Sequence, residues 1–220
     1  MNPRIRGRDI ANPLGWGSAR AGMAWHHIIP FSLLREVWNR LVDQHIATEL
    51  GEARTAIRQY LLLVDRNQPN LDALIDRTRA ENTAQRRAAH HDLQPLDVVE
   101  AHRLATAAVW PAWNAVEGPA RRSDDPHDSY FDRFTSGLTP EEDVRMRGIE
   151  TLFSHFQLFV NAGPAPGPPT LRALAQSASL ARPIIGSGLP IRYRPEMWVE
   201  DGDGLWRKRR AAERNTVAGQ

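Results

Sequence analysis

The sequence predicts a mainly α, helical domain with one small β-hairpin near its N-terminus. Three observations lead there. Apolar residues recur at steps of three and four over several long segments, the period of one helical face. Strand-type alternation is weak along the whole chain. The stretch with extended character is Trp25-His26-His27-Ile28-Ile29-Pro30, which follows a Gly-, Arg-, Asn- and Pro-rich segment over residues 1–24.

In chain order, residues 1–24 read as an irregular arm that supplies a short strand or hairpin ahead of the histidine pair. Pro30 fixes the exit from that pair and prepares a helix start. Residues 31–49 form the first helix, with Phe31, Leu34, Val37, Trp38, Leu41, Val42, His45 and Ile46 on one face. Ser32 is its expected N-cap and Gly51 its stop. A second helix covers 52–65 through Ala53, Ala56, Ile57, Tyr60, Leu61 and Val64. A third starts after Pro69-Asn70 and carries Leu71, Leu74, Ile75 and Thr78. Residues 80–92 are polar and arginine-rich. A fourth helix runs over 95–116 through Leu96, Val99, His102, Leu104, Ala108 and Val109, and Pro111 kinks or interrupts it.

Gly118-Pro119, Asp124-Asp125-Pro126 and Gly137 make residues 117–138 a loop. Thr139-Pro140-Glu141-Glu142 is a helix start with an N-cap threonine, proline at the first helical position and acids in the first turn. That helix extends to about residue 160, with Val144, Met146, Ile149, Leu152, Phe153, Phe156 and Phe159 on its apolar face. The Pro/Gly run at 162–169 is a stiff linker, followed by a short helix at 170–181 and a segment rich in Gly, Pro and charge. The expected division is therefore a helical domain over 1–161 and a C-terminal appendage over 162–220.

Composition bounds the chemistry. The 220 residues and 24.8 kDa suit one domain, and 41% hydrophobic content suffices for a core. No apolar run approaches the roughly 20 residues of a membrane span. Met1 to Arg6 has no apolar stretch, so no secretory signal and a cytoplasmic setting are expected. The chain has no cysteine, which excludes disulfides, thiolate metal sites and cysteine nucleophiles. Lys208 is the sole lysine among 28 basic residues. Arginine's planar fork suits phosphate, although GC-rich coding explains the same bias.

The chemistry centres on His26-His27. Adjacent residues of an extended chain point to opposite sides, so one imidazole can hold a metal while the other takes a proton from water. A second constellation runs from Trp110 through Trp113, Asn114, Glu117, Arg121, Arg122, Asp124 and Asp125 to His127 and Asp128. It gathers amide, guanidinium, carboxylate and imidazole groups in a loop shaped by glycine and proline. An Asx-capped turn whose arginines pair with its own acids is the alternative reading. His90-His91-Asp92 has chelating residue types in a polar setting, whereas His102 and His155 sit among apolar residues as structural histidines.

The segment from about residue 23 to 38, with its Trp-His-His signature, resembles the HNH/endonuclease VII superfamily of ββα-metal nucleases. The resemblance implies a ββα-metal-like element, a divalent metal and hydrolysis of a phosphodiester. By that resemblance His26 is a metal ligand and His27 the general base. Asn114 would be a displaced middle asparagine that orients the base. His45, Asp124, Asp125 and His127 are candidates to complete the metal shell, and Arg121 or Arg122 to clamp a phosphate. The ion expected is Mg²⁺, with Mn²⁺, Ni²⁺ or Zn²⁺ as alternatives. The expected partners are nucleic acid, DNA ahead of RNA, and an immunity or regulatory protein if the chain is a toxin or defence effector.

The separation of Asn114 from His27 departs from the family's short spacing. It requires residues 40–110 to be a helical insertion. Two other functions remain open. One is a metal- or His-dependent enzyme acting on a small molecule in a Trp-lined pocket. The other is a non-catalytic helical interaction protein.

Overall fold

The computed structural model describes residues 19–47, 51–64, 70–79, 96–126, 130–185, 188–211 and 213. The fold is mainly α with two small antiparallel strand pairs, as the sequence predicts. Strand β1 (Met23–His27) leads through a buried Ile28-Ile29-Pro30 into α1 (Phe31–Ala47). The Pro30 carbonyl accepts the Leu34 N–H at 3.2 Å, so the helix begins at Phe31, two residues earlier than a Ser32 cap would give. Helices α2 (Gly51–Val64) and α3 (Leu71–Arg79) follow, and Gly51 opens α2 rather than closing α1. Helix α4 (Val98–Val109) starts at a reciprocal capping box between Asp97 and Glu100.

The fourth helix ends at Val109, short of the predicted residue 116. Pro111 cannot donate to a helical ladder. Trp110 therefore caps α4, Ala112–Asn114 form one tight turn, and the chain becomes strand β2 (Ala115–Pro119). β2 is the partner of β1, with His27 opposite Ala115, His26 opposite Val116 and Met23 opposite Pro119. The strand pair beside the histidines thus joins segments some ninety residues apart in sequence, and α1 to α4 are the insertion between its strands. Any strand within residues 1–18 lies outside the described residues.

Helix α5 (Pro140–Asn161) has the capping box read from its sequence: Thr139 accepts from the Glu142 N–H while Glu142 accepts from the Thr139 N–H. Helix α6 (Pro168–Ile185) packs on α2 and α5. Strands β3 (Trp198–Glu200) and β4 (Trp206–Lys208) form the second pair. The described part of 162–220 is not an appendage. Leu171, Leu174, Ile191, Met197 and Trp198 share one core with Leu34, Trp38 and Ile57, because α6 must bury its apolar face against α2 and α5. Ile191 also extends the sheet: its N–H donates to the Ala115 carbonyl at 2.9 Å, and its carbonyl accepts the Glu117 N–H at 2.8 Å.

Trp38 and Trp113 are buried, while Trp25 and Trp110 are half-buried beside the histidines. Two buried polar anchors tie α2 to the turn before β2. Tyr60 donates its hydroxyl to the Ala108 carbonyl at 2.7 Å, and the Trp113 indole donates to Leu63 at 2.9 Å. No helix among the described residues is long and apolar enough to cross a membrane.

Candidate active site

Antiparallel pairing puts His26 and His27 on opposite faces of the β1–β2 ribbon. Both rings are half-buried, and each uses Nε2 on a backbone carbonyl. His26 Nε2–H donates to Pro119 at 2.9 Å, and His27 Nε2–H donates to Val109 at 3.3 Å. A carbonyl only accepts, so Nε2 carries a hydrogen in both rings, and in the neutral form of each the lone pair is on Nδ1.

His27 is framed by aromatics. Its ring centroid lies 4.0 Å from Trp110 and 6.0 Å, edge-on, from Phe31. Trp110 is held there as the cap of α4, and Phe31 as the first residue of α1. Asn114 fixes the backbone behind the pair. Fully buried, it accepts the Ile29 N–H at 2.6 Å and donates to the Ile29 carbonyl at 2.9 Å. Asn114 therefore positions His27 through the Ile29 backbone, and its side chain is committed to that task rather than to substrate.

On the other face, the chain turns back after Pro119 and places Arg122 beside His26. The Arg122 side chain is 1% exposed and forms a bidentate pair with Asp132, also 1% exposed, at 2.7 and 3.2 Å. It stacks on Trp198 at 5.0 Å and donates to Asp124 at 3.1 Å. Lys208 of β4 bonds to Asp132 through Nζ and to Asp124 through its backbone N–H at 3.0 Å. Burial, then the Arg122 charge, pushes the His26 imidazole below its ordinary pKa, against the Pro119 carbonyl and the Asp132 and Asp125 carboxylates. Burial opposes ionisation of Asp124, yet Arg122 and the Lys208 N–H hold it below the usual carboxylate range. His26 is thus a neutral nitrogen donor near physiological pH.

The candidates divide clearly. The β1–β2 pairing and the turn after it set Asp125, and Asp124 through Arg122, on the His26 side, while Asn114 clamps the Ile29 backbone that follows His27. His45 is not: it lies at the far end of α1, about 21 Å along the axis from Phe31 at 1.5 Å per residue. There its Nε2–H donates to the Ile75 carbonyl at 2.9 Å, so His45 is a buried packing residue between α1 and α3 and not a shell ligand. Arg121 is exposed and faces the β3–β4 turn, with Nη1 3.8 Å from a Cβ built on Gly204. Its neighbour Arg122 is the guanidinium that reaches the site. His127 and His90-His91-Asp92 lie outside the described residues. His102 is exposed on α4 rather than packed among apolar groups, and His155 lines a groove between α5 and α6.

Three contributors escaped sequence reasoning. Asp132, Lys208 and the Val109 carbonyl come from three separate segments, and no short motif marks them. Strand alternation could have favoured Arg122 over Arg121 had β2 been recognised.

An imidazole beside carboxylates suits a hard or borderline divalent ion. Asp132 is occupied by Arg122 and Lys208, and Asp124 is bound to both as well. His26 and Asp125, whose carboxylate charge acts on the His26 ring, are the described groups that could share such an ion. No group of three or more His, Asp or Glu side chains gathers among the described residues. The carboxylate and a low protein-ligand count suit Mg²⁺ or Mn²⁺, which keep several waters, while the imidazole nitrogen suits Ni²⁺ or Zn²⁺.

No protein-family model matches this chain, and no curated protein or solved structure matches it.

Proposed function

We propose that this chain is a metal-dependent phosphodiester hydrolase, an HNH-like nuclease acting on DNA ahead of RNA, with His27 as the general base. The observation that carries the proposal is the β1–β2 pairing with α1 directly after it. This pairing brings Asn114 and the 119–125 turn to the histidines across the helical insertion. His27 Nδ1 takes a proton from the attacking water. The Val109 carbonyl fixes the tautomer, and the Trp110 ring at 4.0 Å favours the imidazolium that results. His26 and Asp125 would hold the ion, which supplies charge stabilisation at the phosphate and the leaving oxygen. Burial first, and then the Arg122 charge locked in place by Asp132, favours the neutral His26 that can coordinate.

A nuclease that meets nucleic acid in its own cell needs restraint, so an immunity or regulatory protein belongs to the same reading. One observation favours a second reading. Both rings are tied to backbone carbonyls, as a purely structural pair in a non-catalytic protein would be.

Metal-stripped protein given Mg²⁺, Mn²⁺, Ni²⁺ or Zn²⁺ with plasmid DNA or RNA separates the two. The expected result is metal-dependent cutting that disappears in His27→Ala while the unfolding transition stays in place. Undiminished cutting by that variant, or no cutting with any ion, overturns the proposal.

A further inference from the structure

We propose that the His27 face of β1 is a stacking platform for an unpaired nucleic-acid strand, with Trp25 as its outer aromatic and Arg20, Arg192 and Arg35 as its phosphate contacts. The proposal rests on the nuclease reading and names the substrate form that reading leaves open. Trp25 and His27 are two residues apart on one strand, so their side chains share a face about 6.7 Å apart. The Arg192 guanidinium lies 5.0 Å over the Trp25 ring. Arg20 and Arg192 have side chains 64% and 51% exposed, and each lies 3.9 Å from the buried Glu117 carboxylate opposite Trp25. Glu117 also accepts the Arg20 and Tyr193 N–H groups at 3.0 and 3.3 Å. The carboxylate thus anchors two chain segments so that both arginines border one tryptophan. At the other end, Phe31 packs edge-on against His27, with Arg35 6.0 Å over its ring.

Among the described residues, three guanidinium groups border this face beside one buried carboxylate, a balance that suits a polyanion. A base can stack on the half-buried Trp25 indole, beside the Arg192 guanidinium, only when that base is outside a duplex stack. Each base stacked on an aromatic side chain contributes on the order of tenfold or more in affinity. A duplex can use the arginines alone.

The test is binding by the full chain in EDTA, so that cutting does not intervene, to a fluorescent single-stranded DNA oligonucleotide and to its duplex. An RNA strand of the same sequence separates sugar preference from strandedness. The single strand should bind at least tenfold more tightly than the duplex. Its log affinity should fall with log salt at a slope of about −2, as three phosphate contacts on a single strand give. Trp25→Leu should cost about tenfold for the single strand and leave the duplex unchanged, whereas Arg192→Gln should weaken both. Equal affinity for the two forms, or a Trp25→Leu variant that binds the strand normally, overturns the platform. Tight strand binding without metal-dependent cutting overturns the nuclease reading and leaves the platform standing. Metal-dependent cutting with a duplex preference does the reverse.

Discussion

Replacing Asn114 with alanine should destabilise the chain by about 2–5 kcal/mol, because two buried backbone groups lose their partners at once and each orphan costs roughly 1–3 kcal/mol. Asn114 and Ile29 are both fully buried, so water has no access to replace either bond. For a chain of this length that loss lowers Tm by on the order of 10 °C. Asn114→Leu conserves volume and orphans the same two groups. A comparable loss in both variants assigns the effect to hydrogen bonding rather than to a cavity. Asn114→Asp keeps an acceptor for the Ile29 N–H but turns an oxygen toward the Ile29 carbonyl, so it should destabilise more as pH rises and the carboxylate ionises. The assay is urea unfolding followed by tryptophan fluorescence, with cutting measured at a temperature where each variant is folded. Because Ile29 lies two residues from His27, cutting should fall even in the folded variants. A loss below about 1 kcal/mol in both Ala and Leu variants would refute the clamp.

Three further outcomes follow from the same geometry. Asp132→Leu takes the bidentate partner from an Arg122 side chain that is 1% exposed, leaving it Asp124 alone, and should cost about 3–5 kcal/mol in urea unfolding, part of it recovered in Arg122→Met/Asp132→Leu; a double variant no better than the single one would show that the lost pair is not the source of the cost. Gly118→Ala places its Cβ 2.2 Å from the Trp198 ring and should cost about 1–3 kcal/mol and change the near-UV circular dichroism, whereas an unaltered spectrum would place that ring elsewhere. Burial lowers the His45 pKa against the pull of its Ile75 bond, so the unfolded chain binds the proton more readily and this contribution to stability, complete above pH about 6.5, is lost as pH falls toward the folded value; His45→Gln keeps a donor for Ile75 and should flatten the acid limb of the Tm–pH curve, and an unchanged limb would show that His45 does not contribute.

What the sequence discloses about this fold divides by the range of the interaction. Each described helix is visible because its apolar face repeats every three or four residues within a single window, and the Thr139 cap is visible because capping is settled by residues three apart. Strand β2 is invisible for the opposite reason. Ala115–Pro119 is too short to alternate convincingly, carries glycine and proline, and earns its strand conformation only from β1 on one side and Ile191 on the other. That one omission shifted the end of α4 and turned a strand into a loop.

The site follows the same rule. The histidine pair and Asn114 stand out because each sits in a dense local pattern, but their relation is tertiary, since the clamp on Ile29 spans eighty-five positions. His45 shows the converse. Its helical spacing places it correctly on the buried face of α1, yet periodicity fixes only the face and not the distance along the axis. At 1.5 Å per residue, fourteen residues of helix carry it away from the pair and into the packing against α3. A histidine on the right face is thus a candidate ligand only within about two turns of the strand that carries the pair. By that distance criterion Asp125 and Arg122, which the chain reversal after Pro119 returns to the ribbon, are better placed than any side chain in the distal half of α1.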